Sequence, residues 1–116
     1  MRILGLNILQ GGGKRVPQLA EALLGRRPDV VVLGEYHANQ AGKELAWLLE
    51  RGGLIHQSRG SDDPSVRAVF LCANVPFALE PIPEWPEEEA HRVLVANFGG
   101  LRIIATYFPA QPPKNR

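Results

Sequence analysis

An asparagine and a glutamate lie at the ends of two strand-like apolar runs. Both residue types can bind a metal ion or a polar ligand. Asn7 falls near the end of the run over residues 3–8, and Glu35 closes the run over residues 29–35. A strand buried on both faces is typically a continuous run of Val, Ile and Leu, and ligands usually bind at the carboxyl ends of such strands. The carboxylate and the amide therefore mark a candidate site.

The residues around this pair predict a βαβ unit over residues 2–35. Pro17 suits the first turn of a helix, and apolar residues recur behind it at helical spacing. Pro28 prevents the helix from continuing, and the second strand begins directly after it. The two strands should therefore be parallel, with the glycine turn at residues 11–13 leading from the first strand into the helix.

The rest of the chain predicts one more helix and then a series of strands. The helix covers residues 40–51 and stops at Gly52. Five strand-like runs follow without helices between them, so consecutive strands should pair antiparallel. Gly99 and Gly100 permit the positive φ angles of a tight hairpin between the last two runs. The five runs cover residues 54–57, 66–73, 77–80, 92–98 and 101–108.

Length and charge limit the classes of function. A chain of 116 residues suits one domain, and a net charge of +1 gives no general attraction to nucleic acid or anionic membranes. The single cysteine, Cys72, lies in an apolar run and is expected to be a buried hydrophobe. Because no segment has the pattern of a membrane span or a signal peptide, we expect a soluble cytoplasmic protein.

Two phosphate-binding motifs fit the glycine turn poorly. The P-loop pattern fails, because Ile8 and Arg15 stand where it requires a glycine and a Ser or Thr. The dinucleotide-binding pattern matches Gly11, Gly13 and the acid that ends the second strand, but Val16 replaces its third glycine. The later strands also depart from the βαβ alternation of that fold.

The two strand ends together resemble the endonuclease/exonuclease/phosphatase superfamily, which includes bacterial exonuclease III, deoxyribonuclease I and the inositol polyphosphate phosphatases. The family's first strand ends in an aromatic residue, Asn and an apolar residue, and residues 6–8 match this apart from Leu6. Its second strand reads Pro-Asp-Val, then a hydrophobic stretch, then Leu-Gln-Glu, and residues 28–35 match it except at Gly34.

Two further segments extend this resemblance over almost the whole chain. Residues 67–71 are similar to a family strand motif, and residues 98–109 are similar to a hairpin that ends in Tyr or His followed by Pro. Leu9 departs from the second Asn of the exonuclease III branch. The Gly-Asp-Phe-Asn and Ser-Asp-His motifs of the family's second half, which supply an aspartate, an asparagine and a histidine, do not occur here.

The resemblance implies an α/β fold for residues 1–116, namely the N-terminal half of a four-layer αββα sandwich. Two helices would cover one face of a mixed β-sheet. The other face should pack on a second sheet that this chain lacks. Since so large an apolar face exceeds what a soluble monomer tolerates, we expect a missing half-domain, a partner chain or self-association to cover it.

The resemblance also implies the chemistry of a divalent-metal-dependent phosphoester hydrolase of the nuclease or phosphatase type. Glu35 would be the principal ligand of Mg²⁺ or Mn²⁺, and Asn7 would lie at the metal and orient that carboxylate or a phosphate oxygen. Tyr107 would donate to the phosphate as charge develops on it. The cation would act mainly as a Lewis acid.

Three functions remain open. The first is hydrolysis of a nucleic acid or a small phosphorylated molecule by a complete domain, in which this chain supplies half of the site and is inactive alone. The second is a catalytically inactive interaction or dimerisation module that retains the fold. The third is a nucleotide-binding half-domain built on the turn at residues 11–13, which Val16 disfavours.

Overall fold

The computed structural model describes residues 1–8 and 15–107, and within them the chain forms seven strands, two α-helices and a 3₁₀ helix. The glycine turn at residues 11–13 and the tail from residue 108 lie outside the described residues. The elements are β1 (Ile3–Asn7), α1 (Val16–Gly25), β2 (Val30–Tyr36), α2 (Gln40–Arg51), β3 (His56–Arg59), β4 (Ala68–Ala73), β5 (Ala78–Glu80), the 3₁₀ helix (Glu87–Arg92), β6 (Val93–Asn97) and β7 (Arg102–Thr106).

The predicted βαβ unit and hairpin are both present. β1 pairs parallel with β2, and α1 connects them. Pro17 occupies the first turn of α1, while Asn39 caps α2 by accepting a hydrogen bond from the Gly42 amide. β6 and β7 pair antiparallel across Gly99, whose φ of 94° requires a residue without a side chain. Local sequence signals therefore predict these elements correctly.

A four-stranded mixed sheet forms the centre of the molecule, in the order β1-β2-β4-β3. Both helices lie on one face of this sheet, as the resemblance implied, and bury one set of alternate side chains from β2 and β4. The sheet residues beneath the helices include Val31, Leu33, Phe70 and Cys72. Tyr36 joins them, and its ring stacks on Phe70 with centroids 4.6 Å apart.

The other face of the mixed sheet is covered by a second sheet, in the order β5-β6-β7. The expectation that this chain lacks the second sheet is therefore wrong. The physical reason for the second sheet lies in β4. All six of its residues are apolar and buried, so both faces of this strand need a covering layer. The residues between the sheets include Val30, Val69, Leu71, Leu94, Ala96 and Ala105.

The face that remains uncovered is the outer face of the second sheet. The 3₁₀ helix lies beside β4 and β6, and the Trp85 indole donates to the Glu89 carbonyl at 2.9 Å. Ile104 in β7 pairs with Val95 of β6, which puts it on this outer face, and it is 67% exposed. The described residues thus build three layers, helices on sheet on sheet, and leave this last face without a helix layer.

Two further expectations can be compared with the structure. Cys72 is fully buried, and burial raises the pKa of its thiol to about 12, so it is an unreactive core residue. Within the described part of the chain, neither helix has the length and apolar character needed to cross a membrane.

The packing of the two sheets can be tested with Leu71, which is fully buried between them. We expect Leu71→Ala to lower the free energy of unfolding by about 2–5 kcal/mol, because it leaves a cavity in the inter-sheet core. Ile104→Ala on the exposed outer face should change it by less than about 0.5 kcal/mol. Urea denaturation measures the free energy of unfolding of both variants. A loss in Leu71→Ala as small as that in Ile104→Ala would contradict the docking of the second sheet.

Candidate functional site

Glu35 lies in a β-bulge near the end of β2. Leu33 pairs with Phe70 of β4, and Tyr36 pairs with Ala68, so β2 has one residue more than β4 between these two pairs. Such an extra residue bends a strand and redirects its side chains. The bulge therefore determines where the Glu35 carboxylate points.

Regular alternation would place Glu35 on the same face as Val31 and Leu33, beneath the helices. Glu35 instead adopts a φ of 55°, in the left-handed region that is uncommon for residues other than glycine. Tyr36 takes the position beneath the helices, and the Glu35 carboxylate meets Tyr107 of the other layer. This conformation costs about 1–3 kcal/mol and persists only where the surrounding structure enforces it.

The hydroxyl of Tyr107 donates a hydrogen bond to Oε1 of Glu35, with an O–O distance of 3.1 Å. Only 8% of Glu35 and 4% of Tyr107 are exposed. Tyr107 directly follows β7, and its backbone amide donates to the Arg92 carbonyl at 2.9 Å. One buried hydrogen bond thus joins the end of the first sheet to the end of the second.

Gly34 provides the space for the Tyr107 ring. A Cβ atom placed on Gly34 would lie 3.1 Å from Cδ1 of Tyr107, closer than nearly all ordinary Cβ contacts. At this position, where the family pattern has Gln, the chain has no side chain and the tyrosine ring lies over the strand. Gly34 is therefore part of the arrangement that brings Tyr107 to Glu35.

Asn7 lies beside these residues on the neighbouring strand. It pairs in register with Gly34, and the amide of Ile8 donates to the Gly34 carbonyl at 3.1 Å. Asn7, Gly34, Thr106 and Tyr107 all line an open groove of about 390 Å³ between β1 and β7. Asn7 and Tyr107 therefore share one groove, and the hydrogen bond of Tyr107 connects this groove to Glu35.

Arg67 adds a positive charge that the sequence reasoning did not assign to the site. Its Nη1 lies 3.9 Å from Oε1 of Glu35. Burial raises the pKa of the Tyr107 hydroxyl, the Glu35 carboxylate raises it further, and the Arg67 guanidinium opposes this rise. At the candidate site, Oε1 of the buried Glu35 carboxylate thus accepts a hydrogen bond from the neutral Tyr107 hydroxyl. The positively charged guanidinium of Arg67 lies near the same oxygen.

The donor set fits a hydrated Mg²⁺ or Mn²⁺ ion and does not fit a fully protein-ligated metal. No cluster of three or more His, Cys, Asp or Glu side chains occurs in the described ranges, residues 1–8 and 15–107. Mg²⁺ keeps several waters and is often held by one or two carboxylates together with substrate phosphates. Glu35, which is buried, and Asn7, which lines the open groove, offer such oxygens.

The fold is that of the endonuclease/exonuclease/phosphatase proteins. An endonuclease/exonuclease/phosphatase from Beutenbergia cavernae matches 91% of this chain with a TM-score of 0.63 and 22% identity. The protein SmcL matches 88% with a TM-score of 0.59 and 18% identity. A truncated TDP2 from Caenorhabditis elegans matches 88% with a TM-score of 0.55 and 16% identity.

This chain covers only 37%, 42% and 43% of those three structures, respectively, so it corresponds to part of their domain. The sequence itself matches no protein-family model and no curated protein. The structural comparisons thus confirm the fold that the sequence resemblance predicted and leave the roles of individual residues as proposals.

Substituting Gly34 tests how Tyr107 is positioned. We expect Gly34→Ala to destabilise the protein by about 1–3 kcal/mol, because the new methyl group overpacks against the Tyr107 ring. Gly5→Ala on the adjoining strand is the control, since its methyl group would meet no atom within 4 Å. Thermal unfolding of both variants gives the comparison, and equal stabilities would contradict the close contact.

The ionisation of Tyr107 tests its hydrogen bond to Glu35. In the parent protein the pKa of Tyr107 should exceed its ordinary value of 10.0, so its stabilising contribution is complete below pH 10 and declines as the pH rises through the folded-state pKa. In Glu35→Gln this pKa should fall, because a negative charge is removed. NMR of ¹³Cζ-labelled tyrosine measures it, with Tyr36 as the internal control. An unchanged Tyr107 pKa would refute the contact.

Proposed function

We propose that this chain supplies the N-terminal half of the active site of a divalent-metal-dependent phosphoester hydrolase. The observation that supports this most strongly is the buried hydrogen bond between Glu35 and Tyr107 beside the groove that Asn7 lines. The chain bends β2 into an unfavourable conformation and places a carboxylate, a hydroxyl donor and an amide together at one edge of the sandwich. Such strain is typical of functional sites.

Each of the three residues has a distinct role in this proposal. Glu35 is the principal ligand of Mg²⁺ or Mn²⁺, and Asn7 contributes its amide oxygen or orients the phosphate. When bound, the cation supplies Lewis-acid polarisation of a phosphoryl oxygen. The Tyr107 hydroxyl, which donates to Glu35 in this structure, would redirect its proton toward a phosphate oxygen as negative charge develops there.

The remaining part of the site would come from the second half of the domain. The neighbouring structures are more than twice as long as the segment that this chain matches. By resemblance, that half supplies an aspartate, an asparagine and a histidine facing the scissile phosphate. It would also supply the layer that covers Ile104 on the outer face of the second sheet. The substrate is a phosphoester of a nucleic acid or of a small phosphorylated molecule.

An inactive interaction module is the second candidate function. Large apolar side chains that are exposed in this chain, among them Leu6, Leu79 and Ile104, favour it, because exposed apolar surface typically marks a contact with another polypeptide. The two candidates differ in the role of Glu35, which must bind a cation only in the first.

Metal binding distinguishes these candidates without requiring turnover by this chain. We expect Mn²⁺ to broaden the NMR signals of Asn7 and Glu35 and to bind Glu35→Gln at least about tenfold more weakly. Glu80→Gln is the matched control, because Glu80 also pairs with an arginine but lies on β5. Mn²⁺ binding that is equal in the parent and in both variants would contradict the proposed metal site.

Hydrolysis of a simple phosphodiester by the same variants is the second measurement. We expect no metal-dependent turnover by this chain alone, because the residues implied for the second half are absent from it. Turnover that disappears in Glu35→Gln would instead mean that this chain completes its own site. In either case the metal-binding result decides between a hydrolase half-site and an inactive module.

A further inference from the structure

We propose that Arg67 is a phosphate-binding residue, whose guanidinium takes the anionic oxygens of a phosphoester at this site. The proposal rests on the proposed function and adds to it the residue that recognises the anionic group. It starts from the position of Arg67, directly before β4. Because β4 runs antiparallel to β2, the start of β4 lies beside the end of β2 that carries Glu35.

The contact that Arg67 makes with Glu35 is too loose to explain its position as a structural ion pair. Its Nη1 is 3.9 Å from Oε1, at the outer limit of such pairs. The side chain of Arg67 is 54% exposed while that of Glu35 is 11% exposed. Arg67 is therefore an accessible guanidinium held near the carboxylate and the Tyr107 hydroxyl, not one locked in a close ion pair.

Three other arginines within the described residues have closer carboxylate partners, at 2.9 to 3.3 Å. These pairs are Arg59 with Asp62, Arg92 with Glu89, and Arg102 with Glu80. Arg67 thus has the longest of these carboxylate contacts, and it points a rigid planar fork of five N–H donors toward the only buried carboxylate of the described core. That fork matches the oxygen spacing of a phosphate group, which arginine can bind with two parallel hydrogen bonds.

Charge balance gives a second reason to assign phosphate binding to Arg67. A buried carboxylate repels an anionic substrate unless cations offset it, and Glu35 has a single negative charge to share between Arg67 and a bound cation. Arg67 supplies one such offsetting charge in the metal-free chain, and a cation held by Glu35 would leave the guanidinium more fully available to the anion. Tyr107 also donates from the same location, so the phosphate would meet two donors at the edge of the sandwich.

The experiment is a titration of the whole metal-free chain with inorganic phosphate, followed by ¹⁵N NMR of backbone amides and arginine Nε groups. We expect saturable shifts at the Arg67 Nε and around Glu35. Arg67→Ala should bind phosphate about tenfold more weakly, since a hydrogen bond to a charged group is lost. Arg67→Lys should recover part of this loss, because lysine retains the charge without the planar fork.

Arg102→Ala is the matched control, because Arg102 is also an exposed arginine paired with a carboxylate. It should bind phosphate as the parent does. The proposal is overturned if no saturable binding occurs, if Arg67→Ala binds as tightly as the parent, or if Arg102→Ala loses affinity equally. A purely structural role for Arg67 would lower the thermal midpoint and leave the affinity for phosphate unchanged.

A parallel Mn²⁺ titration separates this proposal from the one on which it rests. Broadening at Glu35 without phosphate shifts at Arg67 would overturn the role of Arg67 and leave the metal site standing. Phosphate shifts at Arg67 without Mn²⁺ binding at Glu35 would support the anion site and overturn the hydrolase. We expect Arg67→Ala to retain Mn²⁺ binding, because removing a competing cation favours the metal at Glu35.

Discussion

The bulge in β2 is the constraint on which the rest of the site depends. It turns Glu35 out of the helix-covered core and toward the second sheet, and it lets Tyr36 fill the place that alternation would have given to the carboxylate. The conformation is unfavourable for a glutamate, so the surrounding structure must hold it. The Tyr107 hydroxyl, buried with the carboxylate, provides part of that support.

The two sheets are equally necessary to this arrangement. β2 and β4 are apolar on both faces, so one face takes the helices and the other takes β6 and β7. Docking of the second sheet brings Tyr107 over Gly34, where the absence of a side chain leaves room for its ring. The packing that buries the inter-sheet core therefore also assembles the polar groups at its edge.

Much of this fold could be predicted from local sequence signals. The βαβ unit, the second helix and the glycine hairpin follow from periodicity and turn residues, and Asn7, Glu35 and Tyr107 stand out as polar or aromatic residues at strand ends. The bulge could not be predicted, because it depends on the register between β2 and β4. The docking of β5–β7 and the approach of Arg67 to Glu35 depend on long-range packing, which no local pattern encodes.

The hydrogen bond between Tyr107 and Glu35 joins residues 72 positions apart in the chain. Contacts of such high sequence separation form only after a large loop has been closed, which slows folding and ties the contact to the overall topology. The chain between them contains α2 and most of the strands, so early local structure does not create the site. We therefore expect the site to form late in folding and to be lost when either sheet undocks.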